Sequence, residues 1–198
     1  MRFKIVLTFF LCSSFAAAQS NLWQHVSAVY SPPKLASASI SDSQHEAIAR
    51  LIRQQSKSAV WDCDGDELNA MLEGLRFEEI PLSPGQKVLL LEAGAGCARG
   101  GQGSNGAMWL ILFRGRYPVI LASSEGGFSG WLYSIQPTSS HGFHDLVLGW
   151  HMSAFEADLS YFRFDGKSYH AIGSAALLGD GGGGTGRIVP TPRKASSR

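Results

Sequence analysis

The chain has 198 residues, with 17 basic and 16 acidic side chains and a formal net charge of +1 at pH 7. This length is that of one domain and is sufficient to bury a core. The near balance of charge argues against nucleic acid as a partner, since nucleic-acid binding requires a basic surface.

The first 18 residues have the features of a signal peptide. Arg2 and Lys4 precede an apolar run of about eleven residues, and residues 16–18 are alanines, the small residues that signal peptidase accepts. The run is too short to span a bilayer, which requires a helix of about twenty residues. We therefore predict cleavage before Gln19 and export to the periplasm or the extracellular space, with no membrane span in the mature chain.

Residues 19–40 contain small residues, a Pro-Pro pair and few apolar side chains, and they predict an extended lead-in. Ser41 then begins a capping box, which marks the start of a helix. Apolar residues recur at helical spacing on one face: Ala47, Ile48, Leu51 and Ile52. The pattern predicts an amphipathic helix over about residues 42–58, with its apolar stripe facing the core.

Cys63 and Cys97 are the two cysteines that remain after the predicted cleavage. An exported chain meets an oxidising compartment, in which a pair of thiols tends to form a disulfide. We predict a Cys63–Cys97 bond, which would close a loop of about 35 residues and remove about 3–4 kcal/mol of unfolded-state freedom in the chain-entropy model. A reactive thiol or metal-binding pair is the alternative.

An acidic cluster surrounds Cys63. Four carboxylates match the first, third, fifth and twelfth positions of an EF-hand calcium loop: Asp62, Asp64, Asp66 and Glu73. The glycine that this loop requires at its sixth position is replaced by Glu67, and Gly74 interrupts the exit helix. The favoured interpretation is that Asp66 caps a short helix over residues 67–73, and calcium binding is the alternative.

From residue 75 onward the pattern is that of short β-strands. Eight apolar or aromatic runs are separated by turn residues: 75–82, 87–93, 107–114, 117–122, 128–136, 143–150, 159–164 and 167–172. Connections this short leave no room for crossover helices, so neighbouring strands should be antiparallel.

Residues 94–106 form a glycine-rich stretch between two of these runs. Gly94, Gly96 and Gly100 match part of a dinucleotide-binding pattern, but that fold needs a helix directly afterwards to present amide groups to phosphate. The glycines that follow cannot form one. We therefore predict a loop, and no cofactor.

Asp165 and Gly166 separate the last two strand runs and predict a hairpin with a two-residue type I′ turn. In that register Phe164 faces Lys167 and Phe162 faces Tyr169. Side chains alternate across a strand, so each face carries four of them. One face has Leu159, Tyr161, His170 and Ile172, and the other has Phe162, Phe164, Tyr169 and the stem of Lys167. Both faces are largely apolar, so each should be covered by another layer.

The predicted fold class is α+β, with an N-terminal helix packed on a curled antiparallel meander of about eight strands. The domain should extend over residues 41–178. Residues 179–198 are rich in glycine at first and basic afterwards, and they predict a disordered tail.

No serine lies in a G-x-S-x-G elbow, and no histidines have the spacing of metal ligands on one helical face. These observations favour a protein without catalytic activity. The alternative is a hydrolase of the cell envelope, whose site would have to be assembled across strands from His144, Asp145 and Glu156.

Three tryptophans lie on predicted strands: Trp109, Trp131 and Trp150. Indole rings exposed on a sheet suit stacking on sugars or apolar ligands, although core packing explains them equally well. With the glycine-rich loop beside them, they predict an exported binding domain for an extracytoplasmic ligand or an envelope protein.

One segment resembles known sequences. Its motifs are FHDLVLG at residues 143–149 and LSYFRFDGKSY at residues 159–169. They resemble a pattern found in bacterial exported β-rich proteins of uncharacterised function, and also one blade of an FG-GAP-type propeller repeat without its acidic calcium motif. The resemblance implies an exported β-rich protein. It implies no activity and identifies no catalytic residue.

Overall fold

The structure is a computed structural model that describes residues 21–55, 63–94, 97, 105–179 and 186–191. The predicted signal peptide therefore lies outside the described residues. After a helical turn at residues 21–23 come the helices α1 (Asp42–Gln55) and α2 (Gly65–Glu73). The strands are β1 (Ala36–Ser37), β2 (Leu75–Ile80), β3 (Val88–Ala93), β4 (Gly106–Arg114), β5 (Tyr117–Ser123), β6 (Ser129–Ser140), β7 (Phe143–His151), β8 (Glu156–Phe164), β9 (Tyr169–Gly179) and β10 (Gly186–Thr191).

The strands form one sheet in the order β1-β2-β3-β4-β6-β7-β8-β9-β10, with β5 paired to β4. All the described pairings are antiparallel, as the short connections predicted. The described part of the chain is thus mostly antiparallel sheet, with ten strands where about eight were expected.

The sheet is nearly divided between β4 and β6. These strands share two residue pairs, Gly106 with Gly130 and Ala107 with Ser129, whereas β5 pairs with β4 from Trp109 to Arg114. We call β1–β5 the first half of the sheet and β6–β10 the second half.

The two halves bury one hydrophobic cluster between them. Leu90 and Met108 from the first half belong to it, together with Leu146 and Phe162 from the second. All four side chains are essentially excluded from solvent. Burying a side chain of this size contributes about 1.5–3 kcal/mol, so this cluster contributes strongly to the stability of the folded sheet.

A second cluster lies on the outer face of the first half. Ile48 and Ile52 of α1 are fully buried there, with Leu89, Leu91 and Trp109 of the strands. The helix begins where predicted, because the Ser41 amide donates to Gln44 Oε1 and the Gln44 amide donates to Ser41 Oγ. Its described part ends at residue 55, and residues 56–58 of the predicted helix lie outside the described residues.

The outer face of the second half carries a third cluster. Trp23 and Val26 of the lead-in are buried there against Tyr133, Leu159 and Tyr161. The lead-in contains a helical turn at residues 21–23 and strand β1, and the side chains of Trp23 and Val26 anchor it to the sheet.

The hairpin between β8 and β9 has a longer loop than predicted. Phe164 pairs with Tyr169, so residues 165–168 form a four-residue loop instead of a two-residue turn. The reason is the Asp165 side chain, whose Oδ1 accepts from the amides of Lys167 and Ser168. The predicted faces are nevertheless confirmed. Phe162, Phe164 and Tyr169 lie in the cluster between the two halves, and Leu159 and Tyr161 lie in the third cluster.

Helix α2 begins earlier than predicted. Asp64, not Asp66, is its N-cap, because Asp64 Oδ1 accepts from the amides of Asp66 and Glu67. Gly65 is consequently the first helical residue. The predicted end is correct, since Gly74 follows the helix and donates its amide to Ala70.

The prediction of a disordered tail is wrong for residues 186–191. They form β10, which pairs with β9 from Gly186 opposite Gly179 to Thr191 opposite Ser174. Ile188 and Val189 are β-branched and fit the exposed edge of a sheet, and the edge of β9 supplies the hydrogen-bonding partners. Residues 180–185 and 192–198 lie outside the described residues.

The predicted disulfide is confirmed. Cys63 and Cys97, separated by 34 positions, are bonded with their Cα atoms 5.6 Å apart. The bond links the residue before the cap of α2 to the segment after β3. It therefore ties the helical layer to the first half of the sheet.

Candidate functional site

An open cleft of about 290 Å3 lies where the two halves of the sheet separate. The short pairing of β4 with β6 creates it. On one side β3 ends at Ala93 and β4 begins at Gly106, whereas on the other side β6 and β7 extend past this point. Ten residues line the cleft: Tyr30, Arg76, Glu92, Ala93, Gly94, Gly106, Met108, Gly130, Trp131 and His151.

One wall of the cleft is a row of aromatic rings. Trp131 stacks on His151 with ring centroids 4.0 Å apart and planes inclined by 27°. Tyr30 meets Trp131 edge-on at 6.2 Å and lies over Tyr133 at 5.3 Å. Tyr133 is buried, and its hydroxyl donates to the Ser27 carbonyl, so the row is fixed at its inner end. Tyr30 and His151 are exposed.

Two glycines allow Trp131 to occupy this position. A Cβ atom on Gly149, the cross-strand partner of Trp131, would lie within 3 Å of three atoms of the indole ring. Gly130 has a φ of 104°, and a Cβ atom there would collide with the Gly149 carbonyl. The indole therefore lies directly on the backbone of β7, and a larger residue at position 149 would displace it.

The opposite wall carries an ion pair. Arg76 on β2 and Glu92 on β3 are cross-strand partners, and Arg76 Nη2 donates to Glu92 Oε2 at 2.7 Å. The Arg76 side chain is 66% exposed and the Glu92 side chain 27% exposed. Burial raises the pKa of Glu92, and Glu78 adds to this effect while Arg76 opposes it. Burial and the nearby Glu92 also raise the pKa of the Tyr30 phenol.

The raised pKa of Glu92 predicts a pH dependence of stability. The folded chain holds this proton more tightly than the unfolded chain, so the contribution to stability is complete below the ordinary glutamate value of 4.5 and is lost as the pH rises through the folded value. Urea titration measures the free energy of unfolding of the wild type relative to that of Glu92→Gln. This difference should fall as the pH rises from 4.5 through the pKa of Glu92 in the folded chain. A difference that is constant with pH would contradict the prediction.

Asn105 joins the cleft to the glycine-rich segment. Its side chain donates to the His151 carbonyl at 3.0 Å and accepts from the His151 amide at 2.8 Å. At the other end of the segment, the Gly94 amide donates to the Gly74 carbonyl. The described ends of the segment are thus held at the cleft. Most of the segment itself lies outside the described residues.

The three predicted binding tryptophans do not form one surface. Trp131 lines the cleft. Trp150 lines a separate depression of about 280 Å3, together with Asp158 and Ser160. Trp109 is 5% exposed and belongs to the cluster beneath α1 and α2, where it contributes to packing.

The three predicted catalytic residues are also apart. His144 is partly buried, and its Nδ1 lies 2.9 Å from the Gln136 carbonyl oxygen. Asp145 is fully buried and accepts from Arg163, Thr138 and Tyr161. Glu156 is exposed at the start of β8, while Asp145 lies near Phe162, six residues further along that strand and about 20 Å away.

The hydrogen bonds of Asp145 account for its burial. Arg163 Nη2 donates to Asp145 Oδ2 at 2.7 Å, and Arg163 Nε donates at 3.2 Å to both carboxylate oxygens. Hydrogen bonding to Asp145 is the main cause that raises the pKa of Arg163. With Thr138 and Tyr161 as further donors, the carboxylate has a structural environment and no contact with solvent.

The predicted calcium ligands are not brought together among the described residues. Asp64 caps α2, and Glu73 is the last residue of the same helix, about two and a half turns away. Asp62 lies outside the described residues. In the part of the chain that the structure describes, no three His, Cys, Asp or Glu side chains are placed to hold one metal ion.

The hairpin tip carries a serine, a histidine and an aspartate that the sequence did not single out. Ser168 Oγ and Asp165 Oδ2 each lie 3.0 Å from His170 Nε2. In a catalytic triad the nucleophile and the carboxylate contact different ring nitrogens, so that the carboxylate orients the base. Here both contact the same nitrogen, so the arrangement cannot pass a proton along the ring.

Comparisons of the chain with protein-family models, curated protein sequences and solved structures found no match. The resemblance to exported β-rich proteins and propeller repeats therefore stays a prediction. Among the described residues, neither helix is long and apolar enough to span a membrane.

Proposed function

We propose that the chain is an exported, non-catalytic binding domain whose ligand occupies the cleft between the two halves of the sheet. The observation that carries the proposal is the pairing of two different walls: the Trp131–His151 stack on one side and the Arg76–Glu92 ion pair on the other. Aromatic rings with a few convergent polar groups are typical of sites that bind small molecules.

The chemistry of the lining favours binding over catalysis. The described residues that line the cleft include no serine, threonine, cysteine or lysine. Glu92 is the only carboxylate among them, and it is engaged by Arg76. Glycoside hydrolysis would require a second carboxylate across the bond that breaks. Among the described residues the lining therefore offers groups that can orient a ligand, and no serine, threonine or cysteine nucleophile beside a base.

The same proposal covers the location and class of the domain. A disulfide is consistent with an oxidising compartment, and with the predicted signal peptide it supports a periplasmic or extracellular location. The partner is then an extracytoplasmic small molecule or the end of an envelope polymer. We assign the domain to the α+β class, with α1 covering the first half of the sheet, on the shared burial of Ile48 and Ile52 with the strands.

The proposal is tested by amide and indole NMR spectra of the folded chain during addition of small neutral saccharides, amino acids and carboxylic acids. We expect shifts that begin at the indole of Trp131 and at His151, because these groups line the cleft. The variant Trp131→Ala should lose the response. The matched control Trp109→Phe should retain it, since Trp109 is buried away from the cleft.

Two results would contradict the proposal. Shifts centred on Trp150 would place the site in the other depression. Conversion of an added compound, visible as new signals in the same spectra, would show catalysis.

A further inference from the structure

The charges in the cleft are already paired. Arg76 and Glu92 are in contact at 2.7 Å, so a ligand meets no unbalanced charge from this pair. An anion would have to compete with Glu92 for Arg76, and a cation would have to compete with Arg76 for Glu92. Because breaking such a pair leaves one charge partly buried without its partner, a neutral ligand is favoured over an ionic one.

The pair also presents a donor and an acceptor side by side. A guanidinium has five N–H donors and no acceptor, whereas a carboxylate has only acceptors. Each group uses part of this capacity in the pair and retains the rest. A hydroxyl both donates and accepts, and hydroxyls on adjacent carbon atoms can accept from Arg76 and donate to Glu92 together.

The facing wall suits the apolar side of such a molecule. The Tyr30 ring packs against Tyr133 and is 45% exposed. His151, which stacks on Trp131, is also exposed. Aromatic rings that are partly exposed, and held in place by other rings, offer flat surfaces at little entropic cost. The C–H face of a sugar ring is flat and apolar, while its edge carries the hydroxyls.

We infer that the cleft binds a neutral saccharide, held edge-on by Arg76 and Glu92 and stacked against the row of Tyr30, Trp131 and His151. The inference rests on the proposed binding function and adds the class of ligand. At about 290 Å3 the cleft is near the lower limit of small-molecule sites, so the ligand is a short saccharide or the end of a glycan chain.

Isothermal titration calorimetry with cellobiose, maltose and N,N′-diacetylchitobiose, which measures the dissociation constant of each sugar, tests this inference. At least one of these neutral sugars should bind the wild type. Glu92→Gln keeps the size of the side chain and removes its charge, and it should weaken sugar binding about tenfold because a charged acceptor is lost. The same variant leaves Arg76 unbalanced, so it should bind gluconate, an anionic polyol, more tightly than the wild type does.

The control is Glu79→Gln, which removes one carboxylate from β2, the strand next to the one that carries Glu92. Glu79 is 3.9 Å from Lys87 and lines a different depression, so this variant should bind sugars and gluconate like the wild type. Near-ultraviolet circular dichroism of each variant establishes that it is folded.

The outcomes distinguish a wrong ligand class from a wrong binding site. If all three sugars fail to bind at millimolar concentration, or if gluconate or phenylalanine binds the wild type more tightly, the saccharide class is wrong, and the proposed function stands if Trp131 still responds to another compound. If Trp131→Ala and Glu92→Gln each bind a sugar as tightly as the wild type does, the sugar site is elsewhere and both proposals fail.

Discussion

Replacement of Asp145 by alanine is expected to lower the free energy of unfolding by about 3 kcal/mol. Asp145 has no exposed surface, and its carboxylate accepts from Arg163, Thr138 and Tyr161. The substitution removes all these bonds and takes the carboxylate away from the Arg163 guanidinium, whereas Thr138 and Tyr161 keep the hydrogen bond between their hydroxyls. Because the Arg163 side chain is 40% exposed and can turn to water, we expect a loss at the lower end of the range for broken buried pairs.

Urea unfolding followed by circular dichroism measures this loss. Glu156→Ala is the matched control, since it removes an exposed carboxylate from the adjacent strand and should change stability by less than about 0.5 kcal/mol. The double variant Asp145→Ala with Arg163→Ala should be more stable than the sum of the single losses predicts, because the two residues are in contact. Equal losses in Asp145→Ala and Glu156→Ala would show that the network does not contribute to stability.

Removal of the disulfide is expected to cost about 3–4 kcal/mol. The bond closes a loop over 34 positions that contains α2, β2 and β3, so it limits the freedom of a large part of the unfolded chain. The variant with both Cys63→Ser and Cys97→Ser should unfold at a lower urea concentration. The slope of the transition should also rise, because the unfolded chain without the bond is more extended.

The wild type in a reducing agent is the control for this variant, because reduction breaks the same bond without changing the sequence. Both should show the same unfolding midpoint. If the midpoint of the serine variant equals that of the oxidised wild type, the disulfide does not stabilise the fold. A lower midpoint in the serine variant than in the reduced wild type would assign part of the loss to the substituted side chains.

Much of the local structure was predictable because it depends on short segments of the chain. The period-two alternation of residues 159–164 placed Phe162 and Phe164 on one face and Tyr161 on the other, and both faces are buried as expected. The pairing of Cys63 with Cys97 followed from the predicted export and from the number of remaining cysteines. The alternation lies within the strand that it describes, whereas the disulfide joins residues 34 positions apart and was predictable because only two cysteines remained to pair.

The errors arose where a single side chain competes with a local rule. Asp-Gly favours a two-residue turn, but the Asp165 carboxylate accepts from two amides and stabilises a loop of four residues. Asp64 and Asp66 are both good helix caps, and sequence alone did not distinguish them. Residues 186–191 have a composition that suits a tail, and they form a strand because β9 offers a free edge.

The sequence by itself determined that this chain is rich in antiparallel strands, begins α1 after a capping box at Ser41, and joins Cys63 to Cys97. Only the tertiary structure decided where the cleft lies. The cleft exists because β4 pairs with β6 at its first two residues and with β5 from Trp109 to Arg114, a division that no local pattern encodes. Tyr30, Arg76, Trp131 and His151 come from four distant segments, and they meet there because that division separates the two halves of the sheet.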